Sequence, residues 1–126
     1  MESLINAAWV ALGAAIGGPA RAFLSGLIGR HFGDAFPLGT LVVNVTGAFA
    51  IGIAGALLSR HALASDGWLF AVTGVLGSYT TVSSFSLQTV ALAQRSAMRS
   101  ILYVVLSVLL CVGAVALGFS IAGGVP

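Results

Sequence analysis

Lysine is absent from this chain, and its acids number three: Glu2, Asp34 and Asp66. Charged residues reach 6% of the sequence, against about 25% in an ordinary soluble domain. A surface this poor in charge does not suit water, so lipid is the expected solvent. The single cysteine, Cys111, excludes an internal disulfide, and without a Cys/His cluster no zinc site is expected. The N-terminus has no basic opening stretch and reads as a first membrane span, not as a cleaved signal peptide. Arg21, Arg30, Arg60, Arg95 and Arg99 are scattered and form no basic patch. Despite an isoelectric point near 9.3, no nucleic-acid partner is expected.

Acids are also missing from the middle of every apolar run. Proton-coupled carriers usually depend on an intramembrane carboxylate, and cation channels often use acidic rings. Their absence points to passive movement of an anion, or to no transport. No nucleophile–base pair is identifiable by spacing, and His31 and His61 fall in predicted loops, so an enzyme is not expected.

What the chain has in quantity is apolar sequence, 59% of the total. A helical span needs about 20 such residues. Four stretches qualify, at about 4–29, 37–59, 67–94 and 100–122. The expectation is an all-α membrane protein with one four-helix transmembrane domain over residues 1–126. Pro37 suits the first turn of the second helix, where its missing N–H matters little. Ser65 or Asp66 can cap a third helix starting near Gly67. Trp9, Trp68 and Tyr103 lie near predicted ends, as interfacial aromatics do. Arg30, Arg95 and Arg99 fall on one side of the membrane and Arg60 on the other, with both termini. That small bias favours termini outside and leaves both orientations open. Among 17 glycines, Gly13 and Gly17 form a G-x-x-x-G on the first span, and Gly52 and Gly55 lie on the second. Small residues let helices approach closely in lipid.

Four polar features stand where lipid is unfavourable to them. Arg21 lies inside an apolar run and must snorkel, or find carbonyls or an anion; pinning of helix ends is its structural alternative. Asn44 shares a helix face with Thr40 and can either bond a neighbouring helix or donate to an anion. The run from Gly74 to Gln88 places Gly77 before a series of hydroxyl residues, including Thr80, Thr81 and Ser83. Glycine and threonine are weak helix formers, so a break is expected in the third span. Freed carbonyls there can bind a cation, and half-helix N-termini can face an anion. An unbroken helix with hydroxyls bonded back to i−4 carbonyls is the alternative. Tyr103, Ser107 and Cys111 recur every four residues and share one face of the last span, as a track of weak donors or as a packed interface.

These residues resemble the small bacterial fluoride channels of the Fluc (CrcB) family. The first span carries Gly13-Ala-Ala-Ile-Gly17-Gly18-Pro19-Ala-Arg21, like the family's glycine-rich stretch ending in arginine. The second carries Gly39-Thr40-Leu41-Val42-Val43-Asn44-Val45-Thr46-Gly47, close to G-T-L-x-V-N-x-x-G. The third is similar to G-x-x-G-G-x-T-T-F-S-T-F-S-x-E. The combination is specific and touches every span. The resemblance implies an antiparallel, dual-topology homodimer in a bacterial inner membrane, exporting fluoride passively and conferring fluoride resistance. It implies a central structural sodium ion on the backbone carbonyls of Gly77 and Thr80. The expected anion pathway comprises Arg21, Asn44, Thr81, Ser83, Phe85, Gln88, Tyr103, Ser107 and Cys111. An aromatic ring such as Phe85 has a positive edge that can face an anion. Three positions depart from the motif: Val82 replaces its first phenylalanine, Gln88 its glutamate and Ser78 a glycine. These departures leave open a divergent member, a substituted chain or one half of a heterodimer. Two other classes remain: a four-helix exporter of the small multidrug resistance type, which needs a carboxylate in its first span, and a non-transporting membrane subunit.

Overall fold

The computed structural model describes residues 2–33, 36–61 and 69–123. All regular structure among them is helical. Expectations for Asp34, Ser65, Asp66, Gly67 and Trp68 fall outside the described residues, as do the side chains of Arg60 and His61. The helices are α1 (Glu2–Phe32), α2 (Leu38–His61), α3 (Leu69–Leu76), α4 (Gly77–Tyr79), α5 (Ser83–Arg95) and α6 (Ala97–Ile121). Among the described residues, three stretches are long and apolar enough to cross a membrane: Ser3–Phe32, Leu38–Leu57 and Ala97–Ile121. Each of α3, α4 and α5 is too short to do so alone. α3 has π-type winding, and α4 continues it until the rod is interrupted after Tyr79.

The helix ends have local causes. Gly33 closes α1 with φ +79°, and its N–H reaches the Gly29 carbonyl at 2.9 Å. Only a residue without a Cβ adopts that left-handed cap freely. Pro37 accepts the first turn of α2 through its carbonyl, from Leu41 N–H at 3.2 Å. Ser96 is the single extended residue between α5 and α6, and its hydroxyl caps α6 by accepting from Arg99 N–H at 3.3 Å. α6 therefore starts a turn before the expected Ser100. Ser100 instead ties the two helices together, donating to the Thr89 carbonyl at 2.9 Å.

Packing runs along two seams of glycine. In the first, α1 meets α3 and α4. A methyl group on Gly13 would lie 2.7 Å from the Gly74 Cα, and one on Gly17 would collide with the Val75 carbonyl and the Ser78 hydroxyl. Trp9 packs edge-on against Phe70 in the same seam, with centroids 6.1 Å apart. In the second seam, α2 meets α6: Gly52 faces the Val115 carbonyl and Gly118 faces the Phe49 carbonyl. Gly55 faces open space, so of the two α2 glycines singled out only Gly52 serves this seam. Apolar burial adds little driving force between helices in lipid, so close backbone approach carries more of the association. The buried cluster is correspondingly small: Leu41, Leu92 and Tyr103, with Phe36, Leu38, Val45 and Phe85 against it. Ile101, Val105, Val108, Leu109 and Val112 on α6 are exposed, an apolar surface suited to acyl chains or to another chain.

The seams predict an asymmetry among glycines. Gly17→Val and Gly118→Val drive side chains into backbone, and overpacking of this kind destabilises by about 1–3 kcal/mol. Gly55→Ala is expected to leave stability unchanged. Thermal unfolding of the three variants in detergent checks this.

Candidate functional site

The rod formed by α3, α4 and α5 is interrupted because its hydrogen-bond ladder is diverted. The last regular bond is Thr80 N–H to the Leu76 carbonyl, 3.0 Å. Thr80 then turns extended, with φ −80° and ψ 159°. In a continuous helix the next amide, Thr81 N–H, would donate to Gly77. It donates instead to Asn44 Oδ1 at 2.8 Å. The Thr81 carbonyl in turn accepts from Asn44 Nδ2 at 3.0 Å. The Asn44 side chain thus pairs both ways with one residue of exposed backbone. Of its two readings, bonding to a neighbouring element is realised, with one amide hydrogen still uncommitted.

Thr81 also starts α5. Its hydroxyl accepts from Ser84 N–H at 3.2 Å and lies 3.2 Å from the Ser83 hydroxyl. Ser84 N–H is the group that would otherwise serve the Thr80 carbonyl. Gly77 and Thr80 therefore both lose their helical donors, one to Asn44 and one to the Thr81 side chain. Gly47, one turn beyond Asn44, makes the approach possible: a Cβ there would strike the Thr80 methyl. Other hydroxyls behave as the continuous-helix alternative expects. Ser78 donates to Gly74 at 2.7 Å, Thr80 to Leu76 at 2.9 Å and Thr89 to Phe85 at 2.8 Å. The motif glycine replaced by Ser78 thus gives way to a hydroxyl held by its own helix, with a weaker contact to Ala14 at 3.4 Å.

The track on α6 divides into different environments. Tyr103 is fully buried, its ring edge-on to Phe36 at 5.4 Å and tilted by 38° against Phe85 at 5.1 Å. Its hydroxyl donates to Gln88 Oε1 at 3.3 Å. One turn on, Ser107 is 7% exposed, and its hydroxyl has no hydrogen-bond partner among the described residues. One turn further, Cys111 is a half-buried free thiol. It lines a recess of about 360 Å³ with Asn44, Gly77, Thr80, Thr81 and Val82. Val82, 76% exposed, presents an alkyl side chain where the motif would place a ring.

The fold thus gathers Asn44, Gly77, Thr80, Thr81, Ser83 and Cys111 around the interruption, and Phe85, Gln88 and Tyr103 in a second cluster. Arg21 is half-buried and makes no hydrogen bond or ion pair with any of them. Sequence reasoning missed Phe36, whose place beside Pro37 at a helix start was the available signal. It also missed the bond between Thr46 and Tyr79 hydroxyls, 2.8 Å, for which no local pattern exists. Among the described residues, no group of three His, Cys, Asp or Glu could hold a metal, which leaves backbone oxygens as the donor set for a cation.

Comparison with known proteins places this arrangement. The family described as CrcB-like protein, Camphor Resistance (CrcB), matches residues 8–119, and the chain belongs to it. A relative from Rhodopseudomonas palustris strain BisB18 is 57% identical over 118 residues, covering 90% of each chain. One from Bradyrhizobium diazoefficiens is 50% identical over 119 residues, 91% of this chain and 87% of the relative. Both carry the name fluoride-specific ion channel FluC 2. A Helicobacter pylori relative, named fluoride-specific ion channel FluC, is 42% identical over 117 residues, 90% of each chain.

Replacing Asn44 by Ala strands both backbone groups of Thr81. An unsatisfied buried group costs about 1–3 kcal/mol, so Asn44→Ala should destabilise by roughly 2–6 kcal/mol. Hydrogen exchange at the Thr81 amide should accelerate, and Asn44→Asp, which keeps the acceptor, should protect that amide better than Asn44→Ala.

Proposed function

We propose that this chain forms a fluoride-selective channel that lets the ion leave a bacterial cytoplasm passively, down its electrochemical gradient, and so confers fluoride resistance. It is not an enzyme. The observation that carries the reading is the Ser107 hydroxyl, buried one turn from Tyr103 and one from Cys111 with no hydrogen-bond partner among the described residues. A buried polar group without a partner is unfavourable, and in lipid there is no bulk water to serve it. A transient anion is a partner that such a hydroxyl can greet. Fluoride is small and strongly hydrated, so any pathway must offer donors for the water it sheds. Tyr103, Ser107 and Cys111 extend over about 12 Å of helix axis and end at the recess of Asn44, Thr80 and Thr81. Phe85 lies beside this line. Arg21, a half-buried cation with no ion pair among the described residues, adds attraction for an anion. The names of the relatives support fluoride over other anions.

In this reading the rod of α3, α4 and α5 is a fourth, broken crossing of the inner membrane. The working unit is an antiparallel homodimer of dual topology, supported by the exposed apolar face of α6. A structural sodium ion fits the donor set, because Gly77 and Thr80 carbonyls have both lost their helical donors and carbonyl rings serve alkali cations. Two oxygens from one chain leave such an ion under-coordinated, and a two-fold copy doubles the set. Such an ion, held by the Gly77 and Thr80 carbonyls, would supply a fixed positive charge at the interruption. Binding N but not U, it should raise Tm in detergent when N-methylglucamine is exchanged for sodium, and the rise should be lost in a variant that no longer dimerises.

Liposomes holding the purified chain should release fluoride rapidly and retain chloride. Absence of fluoride release, or proton-coupled efflux of a cationic dye instead, sinks the reading. Ser107→Ala gives the sharper test. It removes no hydrogen bond, so stability should hold or rise. Loss of one donor worth about 0.5–1.5 kcal/mol should slow fluoride release by roughly 2- to 10-fold.

A further inference from the structure

Where α2 starts and α5 ends, a recess of about 270 Å³ opens between Pro37, Gln88, Ala91, Leu92 and Arg95. Its one charged group is the Arg95 guanidinium, exposed and without a hydrogen bond or ion pair to any described residue. Among the described residues, no carboxylate lines it. Gln88 forms part of this recess and also lines a second one, beside Thr40 and Ser84. Gln88 Oε1 is taken by the Tyr103 hydroxyl, which leaves Nε2 with two donors and no acceptor among the described residues. The residue at the foot of the recess is therefore already bonded to the first member of the α6 track.

We infer that this recess is the anion-gathering mouth of the pathway, in which Arg95 concentrates small monovalent anions and the Gln88 amide offers them the first neutral donor on the way to Tyr103 and Ser107. The inference rests on the channel reading above. Gln88 and Arg95 are seven residues apart on α5 and share one face, about 10 Å along the axis. A glutamate at 88, as in the motif, would cancel much of the guanidinium's field within the recess. The amide leaves that field in force, so the departure from the motif has a consequence: the described lining of the mouth is net positive. Arg95 also sits in the last turn of α5, where a cation favours the helix dipole. That role alone would stabilise α5 and give no preference to anions entering the recess.

Two measurements decide the matter. In a Cys111→Ser background, Ala91→Cys places a thiol on the recess wall. Its reaction rate with a sulfonate-bearing methanethiosulfonate, divided by the rate with a neutral one, reads anion enrichment independently of transport. At about 10 mM ionic strength, where screening extends over about 30 Å, the ratio should fall about 3- to 10-fold on Arg95→Gln, fall likewise on Gln88→Glu, and survive Arg95→Lys. At about 1 M salt the differences should vanish. A ratio indifferent to Arg95→Gln overturns the inference. In liposomes, Arg95→Gln should slow fluoride release at low ionic strength and match the wild-type chain at high. Equal release at low ionic strength, from a wild-type chain that conducts, also overturns it. If the wild-type chain carries no fluoride, the channel reading fails, while the thiol ratio still decides whether the recess gathers anions.

Discussion

Two hydrogen bonds between one asparagine side chain and one residue of backbone hold the molecule's central irregularity in place. Asn44 donates to the Thr81 carbonyl and accepts from the Thr81 N–H. A carboxamide can do this because it carries a donor and an acceptor in the spacing of a peptide group. Apolar surroundings tolerate irregular backbone only where each polar group finds a partner. Asn44 supplies that partner from the next helix, and the Thr81 hydroxyl supplies another to Ser84. Each satisfaction at Thr81 and Ser84 leaves a carbonyl, at Gly77 and Thr80, without its usual donor. The interruption thus leaves carbonyl oxygens, those of Gly77 and Thr80 among them, with no helical role.

The rest of the fold serves this arrangement through close approach. Gly47 lets the Thr80 methyl sit against α2. Gly13 and Gly17 bring α1 against α3 and α4, while Gly52 and Gly118 join α2 to α6. Backbone contact of this kind suits a medium in which apolar side chains gain little by touching one another instead of lipid. It also keeps the interior narrow. What opens between the helices is small, and beside the interruption it is lined by Asn44, Thr80, Thr81 and Cys111 together with apolar side chains.

Much of this was legible from residue types. The apolar stretches mark the long helices to within a few residues at each end. The glycine and hydroxyl run from Gly74 to Gln88 marks where the winding gives way, because those residues are weak helix formers. The four-residue spacing of Tyr103, Ser107 and Cys111 places them on one face of a helix. Other features depend on chain segments far apart in sequence. Thr46 and Tyr79 are 33 residues apart, and their bond follows only from the docking of α2 on the interruption. Gly52 and Gly55 look alike in the sequence, yet one faces a carbonyl and the other open space, since helix rotation decides it.

Composition settled the solvent, because so few charges suit lipid better than water, and the motifs, not the composition, pointed to the family. The allocation of hydrogen bonds was another matter. A sequence counts donors and acceptors but does not pair them. Whether Asn44 would serve backbone or ligand, and which hydroxyl of the track would be left with nothing, followed from how four segments pack. Packing distributes partners by distance, and Ser107 is the group it left over.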